Sequence, residues 1–146
     1  MLGSGVGLCG IMCHHLGASK VLLTDGDSSV LKVLQRNIQT NTIPYDATNA
    51  STIQCQQLVW GKNLNEFDNE KFNVILAADC LYMKTSVNPL FETVNQLLSN
   101  DGVLIYIMVC ASQAPVEYVN EVASSFSLEW ELDGDSVYLF RRAKNA

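Results

Sequence analysis

Two stretches decide the fold of this 146-residue chain: Leu2-Gly-Ser-Gly-Val-Gly-Leu8 and Val21-Leu-Leu-Thr-Asp25. The first is a glycine-rich turn before a segment with apolar residues at helical spacing, and the second is an apolar run that ends at a carboxylate. Glycines at such a turn let backbone N–H groups approach a ligand with no Cβ in the way. Since a carboxylate at the end of the next strand can accept both hydroxyls of a ribose, the pair predicts a site for a nucleoside-type ligand.

Short apolar runs alternate with amphipathic segments along the rest of the chain. Continuous apolar runs at residues 21–23 and 74–76 are typical of strands in a parallel sheet that is covered on both faces. Further strands are predicted over residues 53–59 and 103–109, with a polar loop over residues 41–51. The sequence therefore predicts a single α/β domain, residues 1–146, with a Rossmann-like, mostly parallel sheet and helices on both faces.

The helices and the end of the chain complete this prediction. Apolar residues at helical spacing predict four helices. The first follows Gly7, the second begins at an Asp27 or Ser28 cap, the third runs from Pro89 through Leu98, and the fourth covers residues 115–126. Asn100-Asp-Gly102 is expected to separate the third helix from the next strand. Alternation on both sides of Asp133-Gly134 predicts a C-terminal antiparallel hairpin at one edge of the sheet.

Composition excludes several classes of protein. Hydrophobic residues make up 48% of the chain and charged residues 16%, which suits a folded core rather than disorder. A net charge of -6 argues against binding to nucleic acid or to anionic lipid, both of which favour basic surfaces. No apolar run approaches about 18 residues and the first residues lack a basic signal-peptide region, so we expect no membrane span and a cytoplasmic or nuclear protein.

The cysteines and histidines predict no metal site. The five cysteines are odd in number and form no Cys-x-x-Cys pair, which favours reduced core thiols. Cys9, Cys13, His14 and His15 invite a zinc interpretation, but no second cluster of ligands appears elsewhere in the sequence.

The glycine loop alone does not distinguish two cofactors. Gly5-Val-Gly-Leu-Cys-Gly10 also satisfies the Gly-x-Gly-x-x-Gly pattern of NAD-binding proteins. Three features favour S-adenosylmethionine: the chain is too short for a separate substrate domain, it has no Tyr-x-x-x-Lys pair, and its sheet is predicted to end in a hairpin.

Four motifs in order resemble one family. The glycine loop and the strand ending at Asp25 resemble the first two motifs of seven-stranded S-adenosylmethionine-dependent methyltransferases. Leu58-Val-Trp-Gly61 and Asp79-Cys-Leu-Tyr82 are similar to the Leu-x-Trp-Gly and Asp-x-x-Tyr motifs of the methyltransferase-like protein-lysine methyltransferases. That group modifies chaperones, elongation factors and calmodulin. The resemblance implies methyl transfer from S-adenosylmethionine to a lysine of a protein substrate.

The resemblance also implies roles for particular residues. Gly3, Ser4 and Gly5 are expected to pass under the methionine part of the cofactor, and Asp25 to hold its ribose. Trp60 is expected beside the adenine, with Ala77 and Ala78 lining the pocket. The catalytic residues implied are Asp79, which positions the incoming amine, and Tyr82, which walls the lysine channel.

Other interpretations of the same residues stay open. Trp60 could be a core aromatic at a strand end, and Asp79 with Tyr82 a capped loop whose polar groups satisfy each other. At the level of function, the alternatives are a methyltransferase for a small molecule or for arginine, and a non-catalytic module that binds the cofactor.

The start of the sequence departs from the family pattern. Only Met1 and Leu2 precede Gly3, whereas the family places a central strand before the glycine loop. We therefore expect that strand to be missing between residues 21–24 and 72–77, and an active enzyme to begin upstream of Met1. A central strand buries about four apolar side chains, each worth about 1.5–3 kcal/mol, so the chain as written is expected to fold poorly and to transfer little methyl.

Overall fold

A computed structural model describes residues 1–42, 51–108 and 114–144. By its contacts the chain divides into two units, Met1–Val59 and Trp60–Ala146, and each is described by itself. Most of the predicted polar loop over residues 41–51, the end of the strand predicted to reach residue 109, and Cys110 lie outside the described residues. That residues 1–146 form a single domain stays a prediction.

The first unit pairs two parallel strands with two helices. Its elements are α1 (Leu8–His15), β1 (Lys20–Asp25), α2 (Ser28–Asn41) and β2 (Thr52–Gln57), and β1 pairs with β2 from Lys20–Thr52 to Asp25–Gln57. Helix α2 begins where the sequence predicts, because the Asp27 carboxylate accepts the Ser29 N–H at 2.8 Å. Apolar side chains of both helices and β1 form the core of this unit: Ile11, Val21, Leu23, Leu34 and Ile38.

Two glycines near the loop allow the helices to pack closely in the first unit. A Cβ on Gly10 of α1 would lie 2.0 Å from Cδ2 of Leu23, and a Cβ on Gly7 would lie 2.4 Å from Cδ1 of Leu34. Gly7 also has a φ of 95°, which favours glycine. The Gly-x-Gly-x-x-Gly pattern therefore serves the contact of α1 with β1 as well as the loop.

The second unit is a four-stranded sheet with two helices. Its strands are β3 (Phe72–Ala78), β4 (Leu98–Ile107), β5 (Leu128–Leu132) and β6 (Val137–Arg142), in the order β3-β4-β6-β5. Strands β3 and β4 are parallel, while β6 is antiparallel to both β4 and β5, which confirms the predicted hairpin at one edge. Helices α3 (Val87–Leu97) and α4 (Val116–Ser125) and two 3-10 turns, Leu64–Phe67 and Lys84–Ser86, complete the unit.

The prediction for residues 98–102 is wrong. Helix α3 ends at Leu97 and β4 begins at once with Leu98, which pairs with Phe72. The next pair is Val74 with Val103, so the extra residues form a bulge inside the strand. Gly102 is buried there, and a Cβ on it would lie 3.0 Å from the carbonyl oxygen of Phe72. The turn-like sequence therefore marks a close backbone approach rather than a break between elements.

The central strand that the family places before the glycine loop, and that we expect to be missing here, is not among the described strands. Strand β1 pairs with β2 and strand β3 with β4, and Leu2 forms a single parallel bridge with Thr24 of β1. The α/β class, the mostly parallel pairing and the closing hairpin are confirmed. That an active enzyme begins upstream of Met1 stays a prediction.

The cysteines are only partly as predicted. Cys9, Cys13, Cys55 and Cys80 carry free thiols, but Cys9 is exposed on α1 and so is not a core residue. His14 and His15 contact Ser51 and the carbonyl oxygen of Asn41, respectively. Across the three described ranges no group of three His, Cys, Asp or Glu residues is placed to hold a metal ion.

No helix in the described part of the chain is long and apolar enough to cross a membrane.

Candidate active site

Ser4 anchors the glycine loop to the end of β1. Its backbone N–H donates to the Thr24 carbonyl at 2.8 Å, and its buried hydroxyl accepts the Thr24 N–H at 2.9 Å and donates to the Met1 carbonyl at 3.1 Å. The residues on both sides, Gly3 and Gly5, have φ values of 60° and 51°. Since these are left-handed conformations, the loop needs glycine on either side of a buried serine.

Asp25 and Gly5 lie together, as the sequence predicts. The Gly5 N–H donates to Oδ2 of Asp25 at 2.9 Å, and the Asp27 N–H donates to Oδ1 at 3.0 Å. Each carboxylate oxygen has two acceptor positions, so these bonds leave one position on each oxygen for a ligand hydroxyl. A Cβ on Gly5 would have no heavy atom within 4 Å, which means that the loop faces open space. This arrangement fits a ribose.

Trp60 follows β2 at the start of the second unit and is half-buried. The adjoining Gly61 has a φ of 70°, and its N–H donates to the hydroxyl of Thr93 at 2.9 Å. Thr93 is fully buried and donates in turn to the Pro89 carbonyl at 2.8 Å. Sequence reasoning missed Thr93, because a threonine inside an apolar helix face gives no signal of its partner. The role of Trp60 beside adenine stays a prediction.

Asp79 and Tyr82 meet at the carboxyl end of β3. Ala77 is buried and Ala78 half-buried where they pair with Tyr106 and Ile107 of β4. The next residue, Asp79, has a φ of 45°, and its N–H donates to the Ile107 carbonyl at 2.8 Å. The Tyr82 hydroxyl donates to the carbonyl oxygen of Asp79 at 2.5 Å. The Asp-x-x-Tyr motif therefore forms one turn, in which the Tyr82 hydroxyl holds the backbone of Asp79.

Tyr106 of β4 belongs to the surroundings of Asp79, and sequence reasoning missed it. Burial, together with the smaller effects of the charges of Cys80, Tyr138 and Asp79, raises the pKa of Tyr106 to about 12. Its ring centroid lies 6.1 Å from that of Tyr138 on β6, and only 2% of its surface is exposed. Because the phenol stays neutral at physiological pH, Tyr106 adds a polar but uncharged group beside the turn.

The predicted site residues form two groups, one in each unit. Gly3, Ser4, Gly5 and Asp25 lie together in the first unit, joined by the hydrogen bonds of the glycine loop. Ala77, Ala78, Asp79 and Tyr82 lie together in the second unit, at the end of β3. Trp60 belongs to the second unit. Each group contains one aspartate at the carboxyl end of a parallel strand, where open α/β sheets bind their ligands.

Comparison with protein families identifies a match over most of the chain. A family described as "Lysine methyltransferase" matches residues 1–125. The protein named Protein N-lysine methyltransferase METTL21A from Danio rerio is 31% identical over 147 aligned residues, which cover 99% of this chain and 65% of the relative. The mouse protein of the same name is 36% identical over 71% of this chain and 45% of its own length. The chain thus spans between about half and two thirds of these two relatives.

Solved structures share the fold. A ribosomal protein L11 methylase from Lactobacillus delbrueckii superposes with a TM-score of 0.73 at 22% identity, covering 98% of this chain and 68% of that structure. An S-adenosylmethionine-dependent methyltransferase from Methanosarcina mazei gives a TM-score of 0.75 at 8% identity, covering 98% and 91%. At such identities the likeness shows the fold alone.

Proposed function

The chain belongs to the lysine methyltransferase family, and we propose that the protein transfers a methyl group from S-adenosylmethionine to the lysine side chain of another protein. The observation that carries the proposal is the turn at the end of β3, where the Tyr82 hydroxyl binds the backbone of a left-handed Asp79. The relative named Calmodulin-lysine N-methyltransferase from Arabidopsis thaliana, 34% identical over 66% of this chain, supports a protein as the acceptor.

The residues of the first unit fit the cofactor. Gly5 faces open space, and the Asp25 carboxylate keeps an acceptor position on each oxygen beside the loop. In the proposed complex Asp25 holds the ribose hydroxyls, and Gly3, Ser4 and Gly5 pass along the methionine part. S-adenosylmethionine supplies a methyl group that its sulfonium already activates, so the protein contributes binding and orientation.

Asp79 acts on the acceptor lysine in this proposal. A lysine amine has a pKa of about 10.4 and arrives mostly protonated at neutral pH. The Asp79 carboxylate attracts the ammonium and fixes its direction, while the proton passes to solvent before transfer. Correct placement of two reactants is worth roughly 7–11 kcal/mol of a reaction barrier, which makes orientation the main task of the site. Tyr82 walls the channel that the lysine enters.

The protein is also proposed to act in the cytoplasm or the nucleus. An odd number of cysteines without a Cys-x-x-Cys pair supports a reducing compartment.

Transfer from labelled S-adenosylmethionine to a cell lysate tests the proposed function. We expect label in a protein fraction and, after acid hydrolysis, in methylated lysine. The Asp79→Asn variant serves as the control for label that does not depend on the site. Label in methylated arginine or in small molecules would replace the proposal with another methyltransferase, and cofactor binding without transfer would indicate a non-catalytic module.

A further inference from the structure

Asp79 has an unusual backbone conformation for a residue with a side chain. Its φ of 45° lies in the left-handed region, which residues other than glycine rarely enter, although aspartate and asparagine tolerate it better than most. Such conformations persist where the surroundings hold them, and they concentrate at functional sites. What holds Asp79 therefore bears on how its carboxylate is aimed.

Two hydrogen bonds hold the peptide groups on either side of the Asp79 Cα. On one side, the Asp79 N–H donates to the Ile107 carbonyl of β4 at 2.8 Å and extends the pairing of β3 with β4. On the other side, the Asp79 carbonyl accepts the Tyr82 hydroxyl at 2.5 Å. Because the two peptide planes set φ and ψ, these bonds together fix the direction of the Cα–Cβ bond, from which the carboxylate projects.

The two bonds are not equally secure. Ile107 belongs to a strand that pairs on both sides, with β3 and with β6, so its carbonyl is set by the sheet. Tyr82 lies in the turn after β3, and 61% of its surface is exposed. The bond from the Tyr82 hydroxyl is thus the weaker of the two. Without the hydroxyl, the Asp79 carbonyl loses this bond while the Asp79 N–H keeps its bond to Ile107.

We propose that Tyr82 is a positioning residue that acts through the backbone of Asp79, in addition to any contact of its ring with the acceptor. The hydroxyl keeps Asp79 in its left-handed conformation and so aims the carboxylate at the incoming amine. This inference rests on the proposed function for its consequence in turnover, but not for its structural content.

The Tyr82→Phe variant tests the inference, since it removes the hydroxyl and keeps the ring. The first readout is hydrogen exchange at the Asp79 amide in the full chain, which needs no activity and reports how often the turn that begins at Asp79 opens. We expect exchange about threefold to tenfold faster than in the unsubstituted protein, the range for loss of one ordinary hydrogen bond. Tyr118→Phe is the matched control, because Tyr118 lies on α4 in the same unit and its ring contacts the Lys84 ammonium. Unchanged exchange in Tyr82→Phe would overturn the inference.

The second readout is turnover with labelled S-adenosylmethionine and lysate protein as acceptor. For Tyr82→Phe we expect kcat to fall about threefold to tenfold with little change in the apparent KM for the acceptor. In an Asp79→Asn background the same substitution should have no further effect, since there is no carboxylate left to aim. If the losses of the two substitutions multiply in the double variant, the inference is wrong. It is also wrong if Tyr82→Phe raises the apparent KM and leaves kcat unchanged.

The two readouts separate two kinds of failure. If the unsubstituted protein transfers no methyl group to any protein, the proposed function fails, and the exchange rate at Asp79 still decides the role of Tyr82. If transfer occurs but neither exchange nor kcat responds to Tyr82→Phe, the proposed function stands and the positioning role is wrong.

Discussion

Asp25 and Asp79 stand at comparable places in the two units, each at the carboxyl end of a parallel strand, yet they are held in different ways. Asp25 is held by its backbone, whose carbonyl accepts the Leu58 N–H at 3.0 Å, and also by its side chain, whose two oxygens accept the N–H groups of Gly5 and Asp27. Asp79 is held by its backbone, through its N–H to Ile107 and its carbonyl to Tyr82.

These two ways of holding an aspartate suit the carboxylates to different tasks. A carboxylate tied to its own loop makes a rigid acceptor for a ligand that fills the same place in every cycle, as a cofactor does. A carboxylate on a residue whose backbone is held projects along a fixed Cα–Cβ direction, which suits an amine that arrives on a different protein. We therefore propose that Asp25 serves the cofactor and Asp79 serves the amine.

The largest effect is expected from Asp79→Asn. Asparagine tolerates the left-handed conformation as well as aspartate does, so the substitution removes the charge without the backbone strain that alanine would add. Turnover should fall about a hundredfold to a thousandfold, as when other electrostatic groups at reacting centres are removed. The rate of label transfer to lysate protein measures it. Asp101→Asn, an exposed acidic residue on β4, is the control, and equal losses in the two variants would refute a specific role for Asp79.

Asp25→Ala should weaken the binding of S-adenosylmethionine about tenfold to a hundredfold, because it removes a charge-assisted hydrogen bond to the ribose. Equilibrium dialysis with the labelled cofactor gives the Kd, with NAD as a competitor that we expect to have no effect. Asp27→Asn is the matched control. It removes a negative charge two residues from Asp25, and the new asparagine can still cap α2. Displacement of the label by NAD would show that the glycine loop binds the other cofactor.

Gly10→Ala should destabilise the first unit by about 1–3 kcal/mol. The new Cβ would lie 2.0 Å from the side chain of Leu23, which is fully buried and cannot move aside without cost. Denaturant unfolding of the protein followed by circular dichroism measures the loss. In the control Gly26→Ala the nearest atom lies 3.8 Å away, so a similar loss there would place the cause outside the packing of α1 on β1.

A smaller effect concerns pH. The Met1 α-amino group donates to the Leu22 carbonyl at 2.6 Å, and burial lowers its pKa from 8.0 to about 6. Since the folded state favours the uncharged amine, its contribution is complete above pH 8 and is lost as the pH falls from 8 to 6, by about 2 kcal/mol.

Denaturant unfolding at several pH values checks this prediction. A chain with residues upstream of Met1 carries an amide there, which does not titrate, and should lack this pH dependence. Equal pH profiles for the two chains would assign the effect to another group. The comparison also tests whether upstream residues improve folding and turnover, as the sequence predicts.

Local signals in the sequence predicted the elements well. The Asp27 cap, the apolar runs of β1 and β3 and the Asp133-Gly134 hairpin each depend on neighbours in the chain, so a single sequence reveals them. The motifs also gave the two aspartates and the glycine loop of the candidate site.

Features set by distant contacts could not be predicted in this way. The bulge at the start of β4 depends on the approach of Gly102 to Phe72, and the environment of Tyr106 depends on β6 and on the turn at Asp79. The left-handed backbone of Asp79 likewise depends on its bond to Ile107 of β4, a partner that no local pattern records.

Titration of S-adenosylmethionine into the Asp79→Asn variant by calorimetry tests the division between the two carboxylates most directly. We expect a Kd within about twofold of that of the unsubstituted protein, because in this proposal Asp79 serves the amine and not the cofactor. A loss of affinity as large as that of Asp25→Ala would place Asp79 in the cofactor site and show that the two carboxylates do not divide the work in this way.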